Sequence, residues 1–239
     1  MSKINFVYFF VDWPVRKKNV RDWVSKVDYR ELMLLSLESI KKWHPSSDVY
    51  VYTDLTTQIS DGFKVIRHPF KGEETGHLMV DIVQAQLMYL ESWSFDADTI
   101  FLSPDCVVNR DCKEVFDADF DLGVTIRKHE IEPVNNGVMY AKRGGRAVDV
   151  FRRALDLVNG YEEKIKVWHG DQRSISEALM PMPNENDLGI HERMGCKIAF
   201  FEVKTHADSR IYDPNNKAYI IHYKGPERKK VMKSRHETS

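Results

Sequence analysis

Apolar residues in this chain follow two rhythms that take turns from the N-terminus onward. Residues 4–11 are a nearly continuous apolar run and read as a first strand. Over 29–43 the period changes: Tyr29, Met33, Leu37 and Ile40 recur at spacings of four, four and three, which lines them along one helical face. His44-Pro45 closes that helix, because proline disfavours helical geometry in the residue before it. Strands are expected at 48–53 and 64–67, then a helix over 77–90 with Leu78, Ile82, Ala85 and Tyr89 as a core stripe. A run at 98–102 is stopped by Ser103-Pro104-Asp105 and resumes at 106–108, where proline marks a strand edge or break. Residues 121–127 and 137–141 read as further strands. After Gly144-Gly145, Ala147, Val150, Phe151, Ala154, Leu155 and Val158 line a helix whose opposite face is charged. A shorter helix begins at Asp171, whose carboxylate suits an N-cap, and strands at 197–203 and 218–221 complete the pattern.

Strand and helix patterns in alternation are the signature of βαβ units and a largely parallel sheet, so the fold class is α/β. At 239 residues the chain suits one domain over 1–239, burying roughly 70–75 per cent of the surface its unfolded form exposes. Residues 185–194 and 204–216 lack periodicity and read as loops over one end of the sheet; His206, Asp208 and Arg210 lie in the second and are taken as surface.

Hydrophobic residues make up 42% of the chain and charged residues 30%, with a formal net charge of −1, which argues against disorder and names no partner. The charge is uneven, however: Lys224, Arg228, Lys229, Lys230, Lys233 and Arg235 crowd the end, a basic tail over 224–239 that is either solvated or able to meet phosphate or anionic lipid. Peripheral contact with a membrane surface is therefore compatible with the sequence. Basic residues that are terminal rather than interleaved with aromatics give no nucleic-acid module. Cys106, Cys112 and Cys196 are odd in number and lack metal-type spacing, which fits a reducing compartment. The opening apolar run is too short to span a bilayer and has no small-residue cleavage site after it, so a cytoplasmic protein is expected.

Candidate chemistry concentrates where His222 leaves a strand and is followed by Tyr223, Lys224, Gly225, Pro226, Glu227, Arg228 and Lys229. A histidine at a strand end, a glycine turn and cations together suit a diphosphate, and open α/β sheets bind ligands at strand carboxyl ends. Three more segments call for the same explanation: Ser103-Pro104-Asp105, Asn135-Asn136-Gly137-Val138, and His169-Gly170-Asp171-Gln172. Asn-Gly is by itself a turn signal, and Asp171 by itself a helix cap.

In this order and at these separations the four segments resemble the retaining nucleotide-sugar glycosyltransferases of family 8 type, which have the GT-A fold, a Rossmann-like, mixed but mostly parallel sheet flanked by helices. The resemblance implies transfer of a sugar from a UDP or GDP donor to a hydroxyl of a glycan or other acceptor, with retention at the anomeric carbon. It implies Mn²⁺, or Mg²⁺, held by Asp105 and His222, with Ser103 at the place of the first carboxylate of an Asp-x-Asp pair. That serine removes one anionic contact. Gly225 would let the backbone approach the diphosphate, Arg228 stands at the family's lysine position, and Lys229 is a second phosphate candidate. Asn135 would contact the donor sugar, Asp171 a sugar hydroxyl, and Gln172 the oxocarbenium-like centre. At the end of the first strand, Asp12 and Trp13 are candidates for the nucleotide base. No basic residue lies between Lys71 and Arg110, where the family often places one, leaving Gln84, Gln86 or His77 as substitutes. Two other readings stay open: a non-catalytic sugar- or nucleotide-binding descendant, motivated by Ser103, and a sugar-1-phosphate nucleotidyltransferase, disfavoured because Asp12-Trp13-Pro14-Val15 stands where that chemistry needs a glycine-rich basic loop.

Overall fold

The computed structural model describes residues 3–12, 28–207 and 216–236. Its strands are β1 (Ile4–Phe9), β2 (Val49–Thr53), β3 (Lys64–Arg67), β4 (Asp98–Leu102), β5 (Cys106–Val108), β6 (Leu122–Ile126), β7 (Val134–Ala141), β8 (Ile190–Arg193), β9 (Cys196–Glu202) and β10 (Ile220–His222). Its helices are α1 (Tyr29–Trp43), α2 (Gly72–Thr75), α3 (Leu78–Glu91), α4 (Ala147–Asn159), α5 (Glu163–Val167), α6 (Gly170–Ala178), α7 (Val203–His206) and α8 (Pro226–His236). Eight strands make one sheet in the order β3-β2-β1-β4-β7-β6-β9-β8, and β5 pairs with β10 as a separate ribbon. The β3, β2, β1 and β4 pairings are parallel, as is β6 with β9; β7 runs against both β4 and β6.

The sheet lies between two apolar layers. Val7, Phe101, Met139 and Phe200 face Val83, Leu87 and Phe151 from α3 and α4, while Phe6, Tyr8, Ile100 and Tyr140 face Met33, Leu37 and Ile40 from α1. The expected stripe of α1 is thus the face it buries, and Asp28 caps that helix by accepting from the backbone N–H groups of Arg30 and Glu31. Asp54 likewise accepts from the N–H groups of Thr56 and Thr57, closing the loop after β2.

Two stretches differ from the sequence reading. Residues 190–193 form β8, an edge strand antiparallel to β9, where the pattern showed only a loop; as an edge it has no need of the alternation that marks a half-buried strand. The basic tail is helix α8, started by Pro226, a residue suited to the first helical position. Met232 of α8 is fully buried against Leu32 and Leu35 of α1, and Lys233 pairs with Glu31. Val231 and Met232 are too few apolar residues to make a stripe, which is why the helix is invisible to periodicity.

β7 begins three residues earlier than expected, at Val134, and carries a wide irregularity. From the Val124–Met139 pair to the Ile126–Val134 pair, β6 advances two residues while β7 advances five. The Asn135-Asn136-Gly137 signal therefore makes a bulge inside a strand, and bulges re-aim side chains beside functional sites.

Burial in the first turn of α3 pushes the Asp81 carboxyl up to about 6, although it accepts from the Gly72 N–H. Because the folded form holds this proton more tightly than the unfolded chain, the contribution to stability is present below about pH 4 and is lost as pH rises through about 6. Asp81→Asn keeps an acceptor for Gly72 and removes the ionised carboxylate. It is expected to stabilise the protein by roughly 1–3 kcal/mol at pH 7.5 and by little at pH 4, read from urea midpoints. A gain of equal size at both pH values would contradict this account.

Candidate active site

The Ser103-Pro104-Asp105-Cys106 turn, closed by the Cys106 N–H donating to the Ser103 carbonyl, carries the chain from β4 into β5. In the antiparallel ribbon Cys106 is paired with His222, and the Tyr223 N–H donates to the Asp105 carbonyl. That register brings Asp105 and His222 together from opposite ends of the sequence. His222 Nε2 lies 3.3 Å from Asp105 Oδ1, and the Lys229 ammonium, one turn into α8, lies 2.8 Å from Asp105 Oδ2. All three residues are buried, at 6%, 7% and 5% exposure for Asp105, His222 and Lys229. Lys229 also donates to the Tyr29 hydroxyl at 2.8 Å and sits 4.6 Å from the centre of that ring.

Burial would raise the Asp105 carboxyl, but His222 and Lys229 outweigh it and hold the group well below the usual carboxylate range. Burial lowers His222, reinforced by the positive charges of Lys224 and Lys229 and opposed by Asp105. Burial works against the Lys229 ammonium as well, yet Asp105 and Tyr29 raise it. The site is therefore an anionic carboxylate held by an ammonium and a neutral imidazole. Gly137 makes room for that imidazole: a Cβ there would come within 2.1 Å of His222 Cε1.

A second group of polar side chains lines a pocket at the carboxyl ends of β1 and β4, bounded by Ser103, Pro104, Ala85, Gln86, Asn136 and Asp171. Asn136 Nδ2 donates to Asp171 Oδ2 at 2.6 Å, and Asn136 Oδ1 accepts from Gln86 Nε2 at 3.0 Å. Asp171 Oδ1, Gln86 Oε1 and Asn135 Nδ2 are buried without a hydrogen-bond partner. Buried polar atoms are nearly always satisfied, so the two orphans that line this pocket, Asp171 Oδ1 and Gln86 Oε1, fit a site built to receive hydroxyl groups. Burial raises the Asp171 carboxyl, against the Asn136 donor. Gln172 Nε2 stands 3.5 Å from His169 Nδ1, which is 3.0 Å from Glu132.

The structure thus brings together most of the expected residues and corrects several. Asp171 is not the N-cap of α6: His169 occupies that position in left-handed geometry, and Asp171 lies inside the first turn, aimed at Asn136. The Asp12 carboxylate accepts from Arg30 at 2.8 Å, so its charge is already engaged. Trp13, Asp208 and Arg210 lie outside the described residues. His206 packs rather than faces solvent, stacked 4.1 Å from Phe201 with its ring lowered to about 4 by burial. His77 is engaged by Glu163, and Gln84 by His68, leaving Gln86 as the substitute that reaches the site. Gly225 has φ +82°, a conformation that favours glycine.

Sequence reasoning missed Asn136, whose neighbour Asn135 matched the motif, and Arg127. Arg127 ends the β6 segment, held by Glu132 and within electrostatic reach of Asp171 and Lys224. Lys224 is lowered to about 8 by burial and then by Arg127, with Arg228 also nearby. Among the described residues neither Lys224 nor Arg228 has an ion-pair or hydrogen-bond partner for its side chain. The second half of the cluster is therefore a concentration of positive charge.

Asp105, Cys106 and His222 offer donor atoms within 4.8 Å of one another. One carboxylate, one thiol and one imidazole could hold an ion, but they are a poor match to a hard divalent one. Ser103 leaves Asp105 as the single carboxylate, so an Mn²⁺ or Mg²⁺ would have to draw most of its oxygen ligands from water and phosphate. Burial pushes the Cys106 thiol up, and its Sγ donates to the Gly137 carbonyl. Lys229 already balances Asp105, so a divalent ion on that carboxylate would have to share it with the ammonium or displace it.

No protein-family model and no curated protein matches this chain. Solved structures do. The fold matches that of a glycosyltransferase involved in the glycosylation of the major capsid of PBCV-1, with a TM-score of 0.55 at 13% identity over 97% of this chain and 99% of that one. It matches the galactosyltransferase LgtC, solved with donor and acceptor sugar analogues, with a TM-score of 0.52 at 13% identity over 98% and 97% of the two chains. GlyE from Streptococcus pneumoniae TIGR4 gives a TM-score of 0.57 at 13% identity, covering 94% of this chain and 55% of that one. The chain has the GT-A fold that its motifs resembled.

Gly137→Ala is expected to cost about 1–3 kcal/mol in urea unfolding, because the added methyl must displace the His222 ring in a packed site. A variant as stable as the wild type would show that the imidazole has room to move and that the bulge does not seat it.

Proposed function

We propose that this protein is a glycosyltransferase that moves a sugar from a UDP or GDP donor to a hydroxyl of a glycan or other acceptor, with retention at the anomeric carbon. The observation that carries this reading is the convergence of the four separated motif segments on one rim of the GT-A sheet. Ser103 and Asp105 follow β4, Asn135 and Asn136 bulge from β7, Asp171 and Gln172 open α6, and His222 ends β10. The sugar occupies the pocket of orphaned polar atoms, where Asp171 and Asn135 exchange hydrogen bonds with its hydroxyls and Asn136 and Gln86 fix the Asp171 carboxylate. The diphosphate lies toward Lys224, Arg228 and Arg127, whose crowded charge an anion relieves. Gly225, with no side chain to intrude, permits its close approach.

In the reaction the bond from the anomeric carbon to the diphosphate oxygen breaks, and the acceptor oxygen bonds the same face of that carbon. The acceptor proton passes to the departing diphosphate oxygen, so atoms and charge balance. Gln172 presents its amide dipole to the positive charge that develops at the ring, and the lysine and arginine cluster stabilises the negative charge on the leaving group.

Release of nucleotide from a panel of UDP- and GDP-sugars tests this reading. At least one donor should be turned over, and Asp171→Asn and Gln172→Ala should each lower that turnover by about 10²-fold or more while the thermal melt stays cooperative and no lower than that of the wild type. Donor binding with no turnover against any acceptor would instead support a binding protein built on a transferase fold. No stabilisation by any nucleotide or nucleotide sugar would refute the reading altogether.

A further inference from the structure

We propose that Lys229 takes the place of a divalent metal: its ammonium is the fixed counter-cation of Asp105 and serves the diphosphate without an ion. This rests on the donor-sugar reading above but concerns a different property, the source of positive charge. Lys229 is not a flexible surface lysine. It projects from the second turn of α8 into the interior and donates to Tyr29 of α1 and to Asp105 Oδ2, while Met232 three residues on docks the same helix in a cluster with Leu32 and Leu35. Tyr29 and Asp105 are themselves set by packing, one on α1 and one on the turn into the β5–β10 ribbon.

Three features point the same way. Ser103 supplies no carboxylate, so the net charge of the donor set is that of Asp105 alone, which one ammonium neutralises. Lys224 and Arg228 bracket the same stretch of chain, within electrostatic reach of each other and Lys224 also of Asp105, adding two more cations where an ion-dependent site would rely on its metal. His222 completes Asp105 from the other oxygen, so the carboxylate is held on both sides by protein groups. The arrangement is preorganised: its positive charge needs no capture of an ion before the donor arrives.

Titration with Mn²⁺ alone, read by electron paramagnetic resonance, tests the replacement directly and without a nucleotide. Wild-type protein is expected to hold no Mn²⁺ at concentrations up to about 1 mM, whereas Lys229→Met gains one site at least about tenfold tighter. The double variant Lys229→Met, Asp105→Asn should lose it again. A wild-type Mn²⁺ site in the micromolar range overturns the proposal, and so does a folded Lys229→Met variant that gains none. The wild-type titration stands even where the Lys229 variant fails to fold.

Calorimetric titration of the wild type with UDP and GDP, in EDTA or in Mn²⁺, forms the second arm. The nucleotide that binds should do so with the same Kd in both buffers within about twofold, and a gain of about tenfold or more from Mn²⁺ overturns the replacement. Wild-type protein that takes up neither Mn²⁺ nor nucleotide, beside a Lys229→Met variant that does bind Mn²⁺, upholds Lys229 as the internal cation and removes the donor reading instead.

Discussion

A buried carboxylate held from both sides, Asp105 between Lys229 and His222, is the interaction on which the rest of this site depends. Each partner arrives on a different element: Asp105 on the turn after β4, His222 at the end of β10, Lys229 on α8. Removing one member of a buried ion pair typically costs about 3–5 kcal/mol, because the other is left charged and unpaired. The C-terminal helix, the small ribbon and the rim of the main sheet are thereby locked into one arrangement. Tyr29 extends the lock to α1, so the chemistry and the packing of the last helix share a single residue.

The β7 bulge is the second constraint. It lets one short segment serve both halves of the site: Gly137 gives the His222 ring its space, while Asn136 reaches the Asp171 carboxylate. A regular strand has no such freedom, since successive side chains must point to opposite faces. The irregularity also leaves Asn135 with a buried and unpartnered amide nitrogen, a local cost that a bound hydroxyl group would relieve.

Much of this was legible in the chain. The stripe of Tyr29, Met33, Leu37 and Ile40 predicts α1, and the run at 98–102 followed by Ser103-Pro104-Asp105 predicts β4 and its break. These elements bury a face or both faces, and burial writes itself into the pattern of apolar residues. β8 lies at an edge and α8 buries little more than Met232, so neither leaves a periodic trace. At the site, motif order singles out Asp105 and His222 because their neighbours in sequence mark them, and the ribbon sets the two side by side. Asn136 as the partner of Asp171 depends on the bulge, and Lys229 as the partner of Asp105 depends on how α8 docks. Both are products of tertiary register, which local sequence does not encode. The charge run at the C-terminus reads equally as a solvated tail or a phosphate-facing segment for the same reason: a lysine inside an ion pair and a lysine in water are identical letters.

The central claim is that the positive charge facing Asp105 belongs to the protein. A crystal of the wild type grown with UDP or GDP and soaked in manganese measures this most directly, through the anomalous signal of the ion. The account predicts Lys229 still bridging Asp105 and Tyr29, with no manganese peak between Asp105 and His222. A manganese peak shared by those two side chains, with the Lys229 ammonium driven away from the carboxylate, would contradict it.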